Sequence, residues 1–216
     1  MNRKAFITWG GWSGHEPEQT SAVFAKLLAE KGFAVERVDS LSPLADTEKM
    51  KTFDLIVPVW TMSSIAKEEL RGLLEAVRSG VGIGGWHGGM GDAFRQETEY
   101  QWMVGGQWVA HPGNAIDYTV EVVKNDPITA GIGTFAMHSE QYYMHTDPGN
   151  EVLAVTRFDG RHADWIAGTI MPAAWKRHYG KGRVFYCSLG HVAADFDVPE
   201  ARELTLRGLL WAAHAL

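Results

Sequence analysis

The chain has 216 residues, 45% of them hydrophobic, which suits one compact domain over residues 1–216. A net charge of -6 and a pI of about 5.8 provide no basic surface for nucleic acid. No apolar run is long enough to span a membrane, and the N-terminus is too polar for a secretory signal. We therefore expect a cytoplasmic protein; its oligomeric state, a homo-oligomer included, is left open.

The first half of the chain alternates predicted strands and helices. Strands are predicted over residues 4–9, 33–38, 53–60 and 81–84, and helices over residues 18–31 and 65–79. The run at 53–60 is almost continuously apolar, as in a strand buried on both faces. This order predicts a doubly wound parallel sheet, in which ligands bind beyond the carboxyl ends of the strands.

The second half is less regular. We predict helices over residues 97–104 and 199–214, and strands over residues 118–123, 151–158, 169–174 and 183–188. Residues 178–182 contain two glycines and a lysine between two strands, which favours a hairpin turn. This part of the sheet is therefore expected to be antiparallel.

Two glycine-rich loops carry histidines directly after predicted strands. His87 lies among four glycines at residues 84–89, and His15 ends the loop at residues 10–15. Each could be an incidental histidine in a tight turn, since glycine is the residue of sharp bends. Because both loops follow parallel strands, we expect His15 and His87 to open onto the same edge of the sheet.

Further titratable side chains occur in the predicted loops of the second half: His111, His138, Glu140, Asp147 and His191. Imidazole and carboxylate together can act as general acid and base. Two histidines and a carboxylate can also bind a divalent metal such as zinc, for which His15, His87 and His191 are candidates. The spacing matches no standard local zinc motif, so both interpretations remain open.

Tryptophans flank the same loops: Trp9, Trp12, Trp86, Trp102 and Trp108. Some are expected to pack in the core. An aromatic face also packs against the apolar face of a sugar ring, while the indole N–H donates at the rim. The composition therefore favours a polyol-sized ligand, and no phosphate-binding loop is present.

The chain resembles the ThuA-like family, the trehalose-utilisation group of bacterial proteins. The resemblance rests on motifs that occur in family order: His-Glu at 15–16, Gly-Trp-His-Gly-Gly at 85–89, the segment at 100–112 ending in His-Pro, Glu-Gln-Tyr-Tyr at 140–143, Pro-Ala-Ala-Trp at 172–175, the segment at 179–186 with Gly-Lys-Gly-Arg-Val-Phe-Tyr, and Leu-Gly-His at 189–191. Together they cover most of the chain.

The resemblance implies an α/β fold of the flavodoxin-like or class I glutamine amidotransferase-like type, a three-layer sandwich with a mostly parallel central sheet. Amidotransferases of this class carry a cysteine nucleophile at the elbow after a strand. The corresponding stretch here is Trp86-His87, and Cys187 lies inside a later predicted strand. Glutaminase activity is therefore not expected, because a thiolate nucleophile must be accessible and beside a base.

The implied role is in sugar catabolism, on a disaccharide or a 3-keto sugar intermediate, by acid–base or metal-assisted chemistry. A keto sugar can lose its glycosidic substituent through enolisation, which makes a hydrolase, lyase or isomerase conceivable. We predict His87 as base with Glu140 and His191 as partners, and substrate contacts from His15, Trp12, Trp86, His111 and Tyr142. The alternative is a non-catalytic sugar-binding or regulatory protein on the same fold.

Overall fold

The computed structural model describes residues 3–216. Met1 and Asn2, part of the segment judged too polar for a secretory signal, lie outside the described residues. The strands are β1 (Lys4–Gly11), β2 (Ala34–Val38), β3 (Leu55–Thr61), β4 (Gly82–Trp86), β5 (Gly106–Ala110), β6 (Ala115–Val122), β7 (Phe135–Glu140), β8 (Tyr143–Thr146), β9 (Glu151–Arg157), β10 (Ile170–Tyr179) and β11 (Gly182–Cys187).

The helices connect these strands or close the chain. They are α1 (Pro17–Glu30), α2 (Thr47–Met50), α3 (Lys67–Ser79), α4 (His87–Gly91), α5 (Thr98–Val104) and α6 (Pro199–Ala212). Over residues 3–216, none of them is both long and apolar enough to cross a membrane.

One large mixed sheet runs through the molecule in the order β2-β1-β3-β4-β11-β10-β9-β6-β7. The five strands from β2 to β11 are mutually parallel. The pairs from β11 to β7 are antiparallel. The sequence prediction of an α/β fold with a parallel first half and an antiparallel second half is therefore confirmed.

A hydrophobic core covers each face of the sheet, because alternate residues of a strand point to opposite sides. On β1, Phe6 belongs to one core, and its neighbours Ala5 and Ile7 belong to the other. Helices α3 and α5 supply the first core, for example through Leu73. Helices α1 and α6 supply the second, for example through Phe24.

The hairpin of β6 and β7 is joined to the sheet at only one end. Strand β6 pairs with β9 over three residues, Val120 to Val122. Its other end pairs with β7 alone, where Ala115 lies opposite Glu140. This unpaired end, which carries Ala115 and Glu140, is called the free end of the hairpin; it extends beyond the sheet and contacts the short helical turn at Ala193–Asp197.

Several predicted boundaries need correction. Glu140 and His138 lie on strand β7 and not in a loop, and β5 and β8 form a separate two-stranded sheet that was not predicted. Strand β10 extends to Tyr179, so the predicted turn at 178–182 is shorter, with His178 paired to Arg183. Strands β5 and β8 are short and contain polar residues, so they lack the apolar alternation that predicts a strand.

Candidate active site

The ends of five strands meet at one edge of the sheet. His15 ends the short helical turn after β1, Thr61 ends β3, and His87 follows β4. Glu140 ends β7, and His191 follows β11. The imidazole rings of His15, His87 and His191 have centroids 4.7, 5.1 and 5.4 Å apart in pairs. The structure thus brings these three histidines together, as expected from their positions after strands.

His87 occupies a sharp strand-to-helix turn. Its φ of 47° lies in the left-handed region that non-glycine residues rarely adopt. The hydroxyl of Tyr186 donates to the His87 carbonyl at 3.1 Å and helps to hold this conformation. The ring of Tyr142 stacks on the imidazole at a centroid distance of 3.8 Å. His87 is consequently rigid, and its side chain is only 1% exposed.

The protonation pattern of His87 follows from its partners. Nδ1 lies 2.8 Å from the Ser188 carbonyl oxygen, which can only accept, so Nδ1 carries a proton. Nε2 faces Oε2 of Glu140 at 3.1 Å. Burial lowers the pKa of His87, and the contact with Glu140 opposes that shift. If the ring carries only the proton on Nδ1, its Nε2 lone pair faces the carboxylate.

Glu140 is the centre of the cluster. Its Oε2 lies 3.1 Å from His87 Nε2, 3.4 Å from His191 Nδ1 and 3.9 Å from His15 Nε2. Burial opposes ionisation of Glu140, but the surrounding imidazoles more than offset it and hold the pKa of the carboxyl well below its ordinary value. Glu140 is therefore ionised throughout the physiological range.

His15 and His191 are each fixed by a second contact. His15 Nδ1 lies 2.8 Å from the hydroxyl oxygen of Thr61. The backbone N–H of His191 donates to Oδ2 of Asp195 at 2.8 Å. The Glu140 carboxylate raises the pKa of His191 above its ordinary value. The first contact orients the His15 ring, and the second fixes the backbone that carries the His191 ring.

A pocket of about 310 Å³, including the space at its open mouth, lies over this cluster. Part of that volume is open solvent, so the enclosed space is smaller than in most small-molecule sites, and a sugar would be only partly enclosed. Its lining combines aromatic, basic and acidic side chains: Trp12, His15, Thr61, Met62, Asp92, Arg95, Trp108, His111, Glu140 and Tyr142.

A fixed ion pair forms one wall of the pocket. Arg95 contacts both carboxylate oxygens of Asp92, at 2.6 and 2.7 Å, and lies 4.8 Å from the ring centre of Trp108. Gln107 donates to the same carboxylate at 2.7 Å. This wall presents fixed polar groups beside an aromatic face, the combination that binds a polyol.

Comparison with known proteins agrees with the sequence motifs. A family model named ThuA and described as trehalose utilisation matches residues 4–212. The chain belongs to the ThuA family. No match is found among curated proteins.

Solved structures share the fold of this ThuA chain. A ThuA-like protein from Bacteroides uniformis ATCC 8492 superposes with a TM-score of 0.82 at 20% identity, covering 97% of this chain and 91% of that one. A ThuA-like protein from Parabacteroides merdae ATCC 43184 gives 0.76 at 21% identity, with 98% and 90% covered. A β-galactosidase from Rahnella sp. R3 gives 0.58 at 18% identity, with 95% of this chain and 32% of that one covered.

Most of the predicted site residues of this ThuA family member lie together. His15, His87, Glu140 and His191 form the cluster, and Trp12, His111 and Tyr142 line the pocket. Nδ1 of His111 lies 3.7 Å from Oε1 of Glu140. The other three imidazoles contact the second carboxylate oxygen, Oε2. His87 and His191 do not line the pocket. Their assigned roles remain predictions.

Two expectations about position were wrong, and the position of a third residue is now decided. Trp86 is 2% exposed and packs in the core against Phe24, with ring centroids 4.4 Å apart, so it cannot contact a substrate. Asp147 is paired with Arg177 at 3.2 Å and belongs to another part of the surface. Trp102, which the sequence left open between the core and the site, is exposed and packs against Tyr179 outside the pocket.

Several pocket residues escaped sequence reasoning: Thr61, Met62, Asp92 and Arg95. Thr61 ends a buried strand next in the sheet to β1, and that position was a usable signal. Asp92 and Arg95 are three residues apart directly after the glycine-rich turn, a spacing that permits an ion pair. Nothing in the sequence places Met62 in the pocket.

Proposed function

We propose that this chain is a sugar-catabolism enzyme that acts on a disaccharide or its 3-keto derivative in the pocket over Glu140. The observation that carries the proposal is a buried, ionised carboxylate surrounded by imidazoles at the floor of an aromatic and polar pocket. Membership of a family described as trehalose utilisation supports a disaccharide-related role.

A 3-keto sugar is the substrate class that this chemistry fits. The proton on the carbon next to the carbonyl is acidic, and its removal gives an enolate that can expel the glycosidic substituent on the following carbon. The reaction needs a base and a group that polarises the carbonyl, and no nucleophile. Cys187 is buried on β11, so the protein has no accessible thiol for covalent catalysis.

The geometry supports a division of roles among the histidines. His87 is buried and directed at Glu140, which suits a group that positions the carboxylate. His111 lines the pocket with 28% of its side chain exposed, while its Nδ1 is buried and lies 3.7 Å from Oε1 of Glu140. Imidazole can take up and release protons near neutral pH. We therefore assign proton transfer at the substrate to His111, a change from the sequence-based assignment to His87.

The test is turnover of 3-keto-trehalose compared with trehalose by the wild type, His111→Asn and His138→Asn. His138 is the matched control, because its side chain is 69% exposed on β7 and pairs with Asp117 at the surface. Loss of a general base costs about 10²–10⁴-fold in kcat, so His111→Asn should fall by that factor while His138→Asn keeps wild-type activity. Tight binding of the sugars without turnover by the wild type would favour the sugar-binding alternative.

A further inference from the structure

We propose that His15, His87, His191 and Glu140 form a site for one divalent transition-metal ion of the zinc type. The inference rests on the proposed function, because it names a cofactor for the pocket in which that reaction would occur. Each of the four side chains offers one ligand atom, and these atoms lie within 4.8 Å of one another.

The distances from Oε2 of Glu140 to the three imidazoles are close to those around one ion. In a tetrahedral zinc site with bonds of about 2.0–2.2 Å, neighbouring ligand atoms are about 3.3–3.6 Å apart. Oε2 of Glu140 lies 3.1 Å from His87 Nε2 and 3.4 Å from His191 Nδ1. His15 Nε2, at 3.9 Å, needs only a small ring movement to complete the set.

The hydrogen bonds around the rings direct lone pairs inward. Because the Ser188 carbonyl fixes the proton of His87 on Nδ1, a nitrogen lone pair faces a carboxylate oxygen at 3.1 Å. Two acceptors at that distance require a positive charge between them, either a metal ion or an extra proton. Thr61 can accept from His15 Nδ1 in the same way. Such partners on the outer nitrogen are typical of histidines that bind metals.

An unpartnered nitrogen gives independent support. Nδ1 of His191 is buried and makes no hydrogen bond, although it lies 3.4 Å from Glu140. A buried polar atom without a partner is destabilising. One metal ion would satisfy both this atom and His87 Nε2, whereas without a metal each of the two rings would need its own added proton. The metal therefore explains more of the geometry than the proton does.

The ligand types indicate the class of ion. Three imidazoles and one carboxylate suit zinc and its neighbours in the first transition series, whereas magnesium and calcium prefer oxygen ligands. A bound ion of this class could act as a Lewis acid on a substrate carbonyl only by taking it up as a fifth ligand. His111 lies on the Oε1 side of Glu140 and is not part of the ligand set.

The test is metal content of protein prepared without a histidine tag, because a tag would bind metal itself. Wild type and variants are stripped with a chelator, and zinc binding is measured by calorimetry and elemental analysis. Cobalt(II) gives a second readout through its visible absorption. We expect about one ion per chain in the wild type, and at least about 100-fold weaker binding in His191→Ala and Glu140→Gln.

Two variants serve as controls. His138→Ala removes an exposed histidine and should bind zinc like the wild type. His111→Ala removes an imidazole next to Glu140 but outside the ligand set, and it should also keep the ion. Circular dichroism and thermal melting establish that each variant is folded. Because His191 is half-buried, its variant remains informative even where the deeply buried His87→Ala does not fold.

The outcomes separate the two proposals. Wild type that takes up no zinc, manganese, iron or cobalt overturns the metal site, as does equal loss of binding in His138→Ala. Stoichiometric metal without turnover of 3-keto-trehalose leaves the metal site standing and rejects the proposed reaction. Turnover that persists in metal-free protein supports the reaction and rejects a role for the ion in it.

Discussion

The backbone at His87 and Gly88 determines how closely the imidazoles approach. The left-handed φ of His87 turns its side chain toward Glu140, away from the core that holds Trp86. Gly88 then passes beside the ring of His15: a Cβ on this glycine would lie 2.7 Å from His15 Nδ1. The glycine is required here for space, so that a ring from another loop can pack on the turn.

Gly88→Ala should displace His15 while the protein stays folded. The added methyl group would push the imidazole away from Thr61 and widen the gap to Glu140, because the backbone on the other side is already fixed by Tyr186. We expect activity to fall at least about tenfold, with a larger loss of zinc affinity. Gly133→Ala is the control, since its added Cβ meets nothing within 4 Å. Equal activity of the two variants would contradict this account.

Cys187 should behave as a small core residue. Burial raises the pKa of its thiol to about 11, so at pH 8 only about one molecule in a thousand carries the thiolate that reacts. Native protein should therefore resist alkylation by iodoacetamide, and protein unfolded in urea should react completely. Cys187→Ala should keep activity within about twofold. Fast alkylation of the native protein, or an inactive but folded variant, would restore a role for the thiol.

The sequence predicts which residues lie in the site where a residue directly follows a parallel strand. His15 and His87 follow β1 and β4, and the topology of such a sheet brings those ends together. Trp86 failed because adjacent residues at a strand end point to opposite faces. A tryptophan beside a site histidine in sequence is therefore expected in the core and not in the site.

The hairpin of β6 and β7 carries Glu140 to the histidines. In a flat sheet its place four strands from β11 would put β7 about 19 Å away from that strand. The hairpin reaches the site because its free end has left the sheet. Ser139 anchors it there: its hydroxyl donates to Oδ2 of Asp195 at 2.5 Å, the oxygen that also accepts from the His191 backbone.

Ser139→Ala should loosen both Glu140 and His191. The substitution leaves the buried Asp195 carboxylate with one partner fewer, which costs about 1.5–3 kcal/mol for a hydrogen bond to a charged group. Urea unfolding should report that loss, and zinc affinity should fall with it. The comparison is Ser42→Ala, an exposed serine whose hydroxyl pairs with Ser40. If the two variants are equally stable, Ser139 does not anchor the hairpin.

The element level also shows why Glu140 was harder to place than His87. Its proximity to the histidines depends on how many residues of β6 pair with β9. Apolar and polar residues alternate in the same way in the paired and the unpaired part of residues 115–122, so the sequence does not show where the pairing ends. Only the chemistry of the carboxylate and the family motif at 140–143 indicate that Glu140 belongs to the site. The local sequence contains no signal for a hairpin that leaves its sheet.

Across the whole molecule, the cluster joins the parallel and antiparallel halves. A ligand that binds only the folded state stabilises it by about 4 kcal/mol at a thousand times its dissociation constant. For a chain of this size that corresponds to about 8–16 °C in Tm. Zinc should therefore raise the Tm of metal-free wild type by that amount and leave the Tm of His191→Ala unchanged. A Tm insensitive to zinc in the wild type would count against the shared ion.

The distant origin of the site residues has a consequence for the order of folding. Near the cluster, the Ala193 N–H donates to Glu16 across 177 positions of sequence. Contacts between such remote segments close large loops and are expected to form late. During refolding from urea with cobalt present, secondary structure should return first and the visible absorption of the metal should lag behind it. The ion would then bind only after the chain has folded, and it would not speed the early steps of folding.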